Sequence, residues 1–188
     1  FVAFLPAGIL GFLFSKLIDR MLGDVMVVVW TFFIGGIILL FIDLLFRNSE
    51  KEPDKEIKYN NAFMIGLFQA VSMIPGVSRS AATIVGGLTQ KLNRKTAVEF
   101  SFFLAVPTMF MATAYKLFEY YKEGDGFHGQ EIGLLLIGNV VAFGVAMLAI
   151  KFFITYLQKH GFRIFGAYRI FAAIAIYLLY KHGVQFSL

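Results

Sequence analysis

The sequence predicts an all-α integral membrane protein, a multi-span helical bundle with a re-entrant helical hairpin, and three observations carry that prediction. Hydrophobic side chains make up 59% of the 188 residues and charged ones only 15%, outside the balance of soluble domains. Apolar runs long enough to cross about 30 Å of hydrocarbon recur along the whole chain, so residues 1–188 read as one membrane domain. Among them lies a pair of half-length apolar segments separated by Pro75-Gly76.

The elements follow in order. Phe1 to Phe14 is apolar but too short to span, and it lacks the basic flank of a signal peptide. It reads as the tail of a transmembrane helix, so the chain is expected to begin inside a longer protein. Ser15 to Asp24 is a polar connection. Val25 to Phe46 is 22 residues with a single charge, Asp43, near enough to the end for its carboxylate to reach the interface. Asn48 to Lys58 alternates acids and bases around Pro53, the pattern of a solvated loop.

Ala62 to Met73 is apolar for 12 residues, Pro75-Gly76 interrupts, and Ala81 to Leu88 is apolar again. Twelve helical residues cover about 18 Å, roughly half a bilayer, so residues 62–90 form a hairpin that enters the membrane and returns to the same side. Irregular backbone at that depth must be buried in protein or face a wet cavity. The competing reading is one kinked helix over residues 62–90. Ala97 to Phe118 spans, with a kink at Pro107. Glu119 to Gln130 is a loop, Ile132 to Ile150 and Ile164 to Tyr180 span, and a basic turn over residues 159–163 joins these two.

The formal charge is +5 and the isoelectric point about 9.4, but the basic residues sit in short connections rather than in a stripe. That is a pattern for membrane topology and not for nucleic acid. With the hairpin returning to its own side, one face carries nine Lys and Arg residues (Arg47, Lys51, Lys55, Lys58, Lys91, Arg94, Lys95, Lys159, Arg163) against five on the other. The basic face is expected to be cytoplasmic and the C-terminus external. The chain has no cysteine, which excludes disulfides and thiolate chemistry.

The chemistry concentrates at the break. Arg79 lies in the middle of the hairpin between Ser78 and Ser80, with Thr83 one turn on and no acid nearby in sequence. An ionisable group at membrane depth costs several kcal/mol unless compensated. A guanidinium matches phosphate oxygens in bidentate geometry, three hydroxyls add donors, and a helix starting near Ala81 aims its free amides into the same space. Gly76 permits close backbone approach and Pro75 stiffens the entry. These residues point to a bound anion. The alternative is that Arg79 pairs with a distant carboxylate while the serines cap a helix. Gln69 could donate to a phosphate or to Ser78, or bond another helix. Glu99 could pair with Arg79 or with Lys95. Arg169, inside the last span, reads as structural, snorkelling to the cytoplasmic surface. His128, His160 and His182 fall in loops or at a helix end, as solvated groups do.

These residues carry a resemblance that runs over essentially the whole chain. Gln69, the run Pro75-Gly76-Val77-Ser78-Arg79-Ser80-Ala81-Ala82-Thr83, the segment Glu99-Phe100-Ser101-Phe102-Phe103-Leu104-Ala105-Val106-Pro107, and Tyr168-Arg169 resemble the undecaprenyl-diphosphate phosphatase family of bacitracin-resistance membrane phosphatases. The resemblance implies helices and two re-entrant hairpins arranged as inverted repeats, of which this chain holds one hairpin. It implies hydrolysis of undecaprenyl diphosphate to the monophosphate carrier for cell-wall synthesis, in a multi-pass protein of the bacterial plasma membrane. Arg79 would be catalytic, and Gly76, Gln69, Ser78, Arg79, Ser80 and Thr83 would bind the diphosphate. A divalent cation, Mg or Ca, is implied by the family and not by any residue here, and a homodimer is left open. The family's first motif, a Glu-rich hairpin ending in paired serines and Gly-His, is absent. Phe4-Leu5-Pro6 echoes it without glutamates, and Ala7-Gly8 follow where serines are expected. The nucleophile, general base and cation carboxylates are therefore expected upstream of Phe1, and residues 1–188 alone are expected to be inactive. Two other functions fit a buried arginine at a broken helix: a transporter or flippase for an anionic lipid, and a structural membrane subunit.

Overall fold

The computed structural model describes residues 1–46, 49, 52–53, 55–123 and 129–183. Arg47, Lys51 and His128 lie outside the described residues, as does the side chain of Lys159. Within them the chain forms eight helices and no strand: α1 (Phe4–Leu13), α2 (Ser15–Leu22), α3 (Val25–Leu45), α4 (Tyr59–Val71), α5 (Arg79–Thr89), α6 (Arg94–Glu123), α7 (Gly129–His160) and α8 (Arg163–Lys181). Among the described residues, α3, α6, α7 and α8 are long and apolar enough to cross a membrane.

Several boundaries differ from expectation for local reasons. Ser15 to Asp24 is not merely a connection. Leu17, Ile18, Met21 and Leu22 fall on one side of a short helix and Lys16, Asp19 and Arg20 on the other, which makes α2 amphipathic. Asp24 then caps α3, accepting from the Met26 amide at 2.8 Å. Helix α6 is 30 residues long and α7 is 32, because their polar flanks are adequate helix formers that keep the backbone paired. Helix α6 starts where Asn93 Oδ1 accepts from the Thr96 amide at 2.7 Å, and it continues through Pro107.

Helices α4 and α5 pack against each other in antiparallel fashion. Phe68 lies against Gly86, and at the open end Asn61 Nδ2 donates to Gln90 Oε1 at 3.5 Å. A single kinked helix is therefore excluded. On its other side α5 packs along α6, with Gly87 against Ala97. Helices α3 and α8 form a second close pair, in which Gly36 and Gly166 let the backbones meet: a Cβ on Gly36 would lie 2.9 Å from the Gly166 carbonyl oxygen.

Asp43 was expected to reach the interface. There its Oδ1 accepts from Arg94 Nη2 at 2.9 Å and its Oδ2 from the Phe162 amide at 2.7 Å. One carboxylate thus gathers the end of α3, the start of α6 and the turn before α8 at one end of the bundle. Helix α7 joins this assembly only through its last turns: Phe153 meets Phe102 and Phe165, and Leu157 is fully buried. Every side chain from 132 to 152 is exposed.

Candidate functional site

The turn between α4 and α5 lies deep along α3. Thr31 touches it and stands twelve residues before Asp43, about 18 Å along the helix axis. The turn tightens through successive short backbone bonds, ending with the Val77 amide on the Ile74 carbonyl at 3.0 Å. Gly76 has φ +86°, the left-handed region that side chains other than glycine rarely adopt. A Cβ there would also collide with the Thr31 hydroxyl.

Ser78 starts α5. Its extended backbone makes it the N-cap, and its Oγ accepts from the Ala81 amide at 3.3 Å. The Ser80 hydroxyl lies 3.3 Å from that of Ser78. The amides at the very start of α5 have no acceptor within the helix and carry its positive dipole end. Arg79 follows directly. Its side chain is half-buried, it makes no ion pair among the described residues, and its Nη1 is buried without a protein partner. The reading in which Arg79 is neutralised by a distant acid finds no such acid among the described residues.

Three expected members of the cradle are placed elsewhere. Thr83 is 1% exposed, its hydroxyl 2.5 Å from that of Ser101 on α6, so it joins two helices. The rotation of α5 that presents Ser78 to one side turns Thr83 to the other. Gln69 is 2% exposed and donates through Nε2 to Thr108 Oγ1 of α6 at 3.2 Å, the inter-helix alternative rather than a bond to Ser78. Gly76 turns its carbonyl toward α8 and packs on α3, so its small size serves the protein interior. Glu99 forms no ion pair with Arg79 or Lys95. Ser78, Arg79 and Ser80 are the members that stay together at the helix start.

Arg169 departs most from expectation. It does not snorkel back toward the basic end. It is 9% exposed and reaches inward, where Nη2 donates to the Gly76 carbonyl at 2.6 Å and to the Thr31 carbonyl at 3.3 Å. Its guanidinium lies 4.3 Å over the Phe32 ring, in space left open by Gly35. Thr31 donates to the adjacent Pro75 carbonyl at 2.7 Å. Sequence reasoning missed Thr31, although a hydroxyl in the middle of an apolar span was the available signal.

Two cavities flank the turn. One, of about 340 Å³, is walled mostly by apolar groups such as Ile34, Ile38, Phe68 and Val85, with Ser78 and Arg169 at its edge. The other, of about 200 Å³, brings Ser78, Ser80 and Arg169 together with Phe153, Phe165 and Tyr168. Arg79 lines neither. Among the described residues no three His, Asp or Glu side chains converge as cation ligands. The hairpin start offers hydrogen-bond donors and positive charge, a set suited to phosphate oxygens and not to a cation.

Comparison with known proteins agrees with the motif and the fold. The family model described as bacitracin resistance protein BacA matches residues 1–175. The undecaprenyl-diphosphatase of Flavobacterium psychrophilum is 55% identical over 179 residues, covering 95% of this chain and 67% of that protein. That of Porphyromonas gingivalis is 52% identical over 188 residues, covering 99% and 66%, and that of Aquifex aeolicus is 48% identical over 170 residues, covering 89% and 65%. The chain thus spans about two thirds of the length of these relatives. With the match extending through the hairpin, Arg79 and Arg169, the chain belongs to the bacitracin resistance protein BacA family.

Proposed function

We propose that the protein is a multi-pass membrane phosphatase of the bacterial inner membrane that hydrolyses undecaprenyl diphosphate to undecaprenyl phosphate and phosphate, returning the lipid carrier to cell-wall synthesis. The observation that carries this reading is Arg79: a half-buried guanidinium at a helix start, between two seryl hydroxyls, with no acid among the described residues to neutralise it. The undecaprenyl-diphosphatases to which the chain is similar supply the substrate.

In this reading the diphosphate lies at the start of α5. Arg79 takes two of its oxygens in bidentate fashion, while Ser80, Ser78 and the first-turn amides donate to the rest. Attack by water breaks the bond between the bridging oxygen and the terminal phosphorus. Charge develops on the transferred phosphoryl group and the leaving oxygen, and fixed donors stabilise it at low local dielectric. A divalent cation of the kind the family resemblance implies is not given a seat by the described residues, and no step here runs through one. The partner is the lipid itself.

The test follows phosphate release from undecaprenyl diphosphate by the intact protein in detergent. Arg79→Ala is expected to lower kcat on the order of 100-fold or more, the usual loss when a preorganised charge-stabilising donor is removed. Retention of near-parental kcat would remove Arg79 from the site. Movement of the intact lipid across liposomes without phosphate release would favour a flippase instead.

A further inference from the structure

Arg79 Nη1 is buried without a partner, whereas Arg169 has committed its Nη2 to two backbone carbonyls. The turn exposes two successive carbonyl oxygens, those of Pro75 and Gly76, and both are held from the α3–α8 side: Pro75 by Thr31 at 2.7 Å, Gly76 by Arg169 at 2.6 Å. Left free, a carbonyl dipole beside a bound anion would repel it. Held this way, the two oxygens face the pair α3–α8.

The anchoring extends over three elements. Arg169 Nη2 bridges the turn to the Thr31 carbonyl of α3, its guanidinium lies over the Phe32 ring, and Gly35 leaves room for it. No acid competes for this arginine among the described residues. A guanidinium that bonds two carbonyls 45 residues apart in the chain, Thr31 and Gly76, does what a snorkelling cation cannot: it fixes a loop relative to a helix pair. Ser78, two residues beyond Gly76, borders both cavities together with Arg169, so a shift of the turn would move the N-cap and the start of α5 with it.

We propose that Arg169 is a positioning residue for the phosphate turn: by holding the Gly76 carbonyl against α3 and α8 it sets the direction in which the start of α5, with Ser78, Arg79 and Ser80, presents its donors. This role rests on the phosphatase reading for its catalytic consequence, but the anchoring itself can be measured without turnover.

The experiment uses the intact protein, with phosphate release from undecaprenyl diphosphate giving kcat and KM, and hydrogen–deuterium exchange over residues 74–80. Arg169→Ala is expected to lower kcat on the order of 100-fold, since displacing a catalytic group by about 1 Å can cost that much. Exchange at the turn should rise about 10-fold or more, as a local opening becomes easier. Arg169→Lys, which keeps one donor to the Gly76 carbonyl, should recover part of both losses, and Thr31→Val, which frees only the Pro75 carbonyl, should produce a smaller change of the same kind. Should Arg169→Ala not fold, these two variants carry the test. Parental kcat per folded molecule, or a lowered kcat with exchange at 74–80 unchanged, overturns the assignment. If the parent protein releases no phosphate while exchange at the turn still rises in the variants, the phosphatase reading fails and the positioning role stands.

Discussion

Asp43 and Arg94 meet at 2.9 Å across 51 residues of sequence, and the second oxygen of the same carboxylate accepts from the amide of Phe162 at 2.7 Å. Both side chains are close to 90% buried. Removing one member of such a pair strands the other, at a cost of about 3 kcal/mol or more. Asp43→Ala and Arg94→Ala are each expected to lower the unfolding temperature in detergent by several degrees. The double variant should lose clearly less than the sum of the two. Additive losses would show that the two side chains act independently.

Gly161 sits against the same carboxylate. Its φ is +71°, and a Cβ there would press directly on the Asp43 side chain. Gly161→Ala combines a left-handed backbone cost of about 1–2 kcal/mol with displacement of Asp43. In an Asp43→Ala background its destabilisation should shrink to the backbone cost of about 1–2 kcal/mol. Equal destabilisation in both backgrounds would locate the effect in the backbone alone.

Ser78 and Ser80 should separate by phenotype. Ser78 caps α5, so Ser78→Ala is expected to cost about 1 kcal/mol in stability as well as activity. Ser80 caps nothing, and Ser80→Ala should raise KM or lower kcat while leaving thermal unfolding within about 0.5 kcal/mol of the parent. Equal stability losses in the two would contradict the assigned cap.

Thr83 lies in the recognisable motif but its hydroxyl is spent on Ser101. Thr83→Val should destabilise by about 1–3 kcal/mol because it strands a buried hydroxyl. Adding Ser101→Ala should restore much of that loss, since replacing both partners by apolar groups is nearly neutral. The KM for the lipid diphosphate should remain near the parental value in the folded double variant. A KM raised tenfold would return Thr83 to the cradle.

What could be read in the sequence followed from solvent and chain geometry. The four long apolar helices were legible because a bilayer imposes length and composition on every span. Arg79 stood out because a lone cation in an apolar setting demands compensation. The polar flanks of α6 and α7 were harder, since Arg94, Lys122 and the Gly129 end look like loop residues until backbone pairing carries the helix through them. Side-chain direction was out of reach. Whether Thr83 faces a ligand or Ser101 depends on the rotation of α5, fixed by packing against α6 and not by its own residues. The Arg169–Gly76 bond was equally hidden, because a cation in a span can reach either way along its helix, and the deciding acceptor lies 93 residues earlier. For Asp43 the place near a helix end was legible, but its partners Arg94 and Phe162, 51 and 119 residues further on, were not.

The hairpin between α4 and α5 is fastened at its feet by Asn61 and Gln90 and at its crown by Thr31 and Arg169. Such an arch does not lean on the surrounding lipid for its shape. The crown's fasteners sit on α3 and α8, so the turn follows that helix pair as a unit. The separation of crown and feet is therefore held from inside the protein, and with it the relation of the Ser78–Arg79–Ser80 segment to α3 and α8.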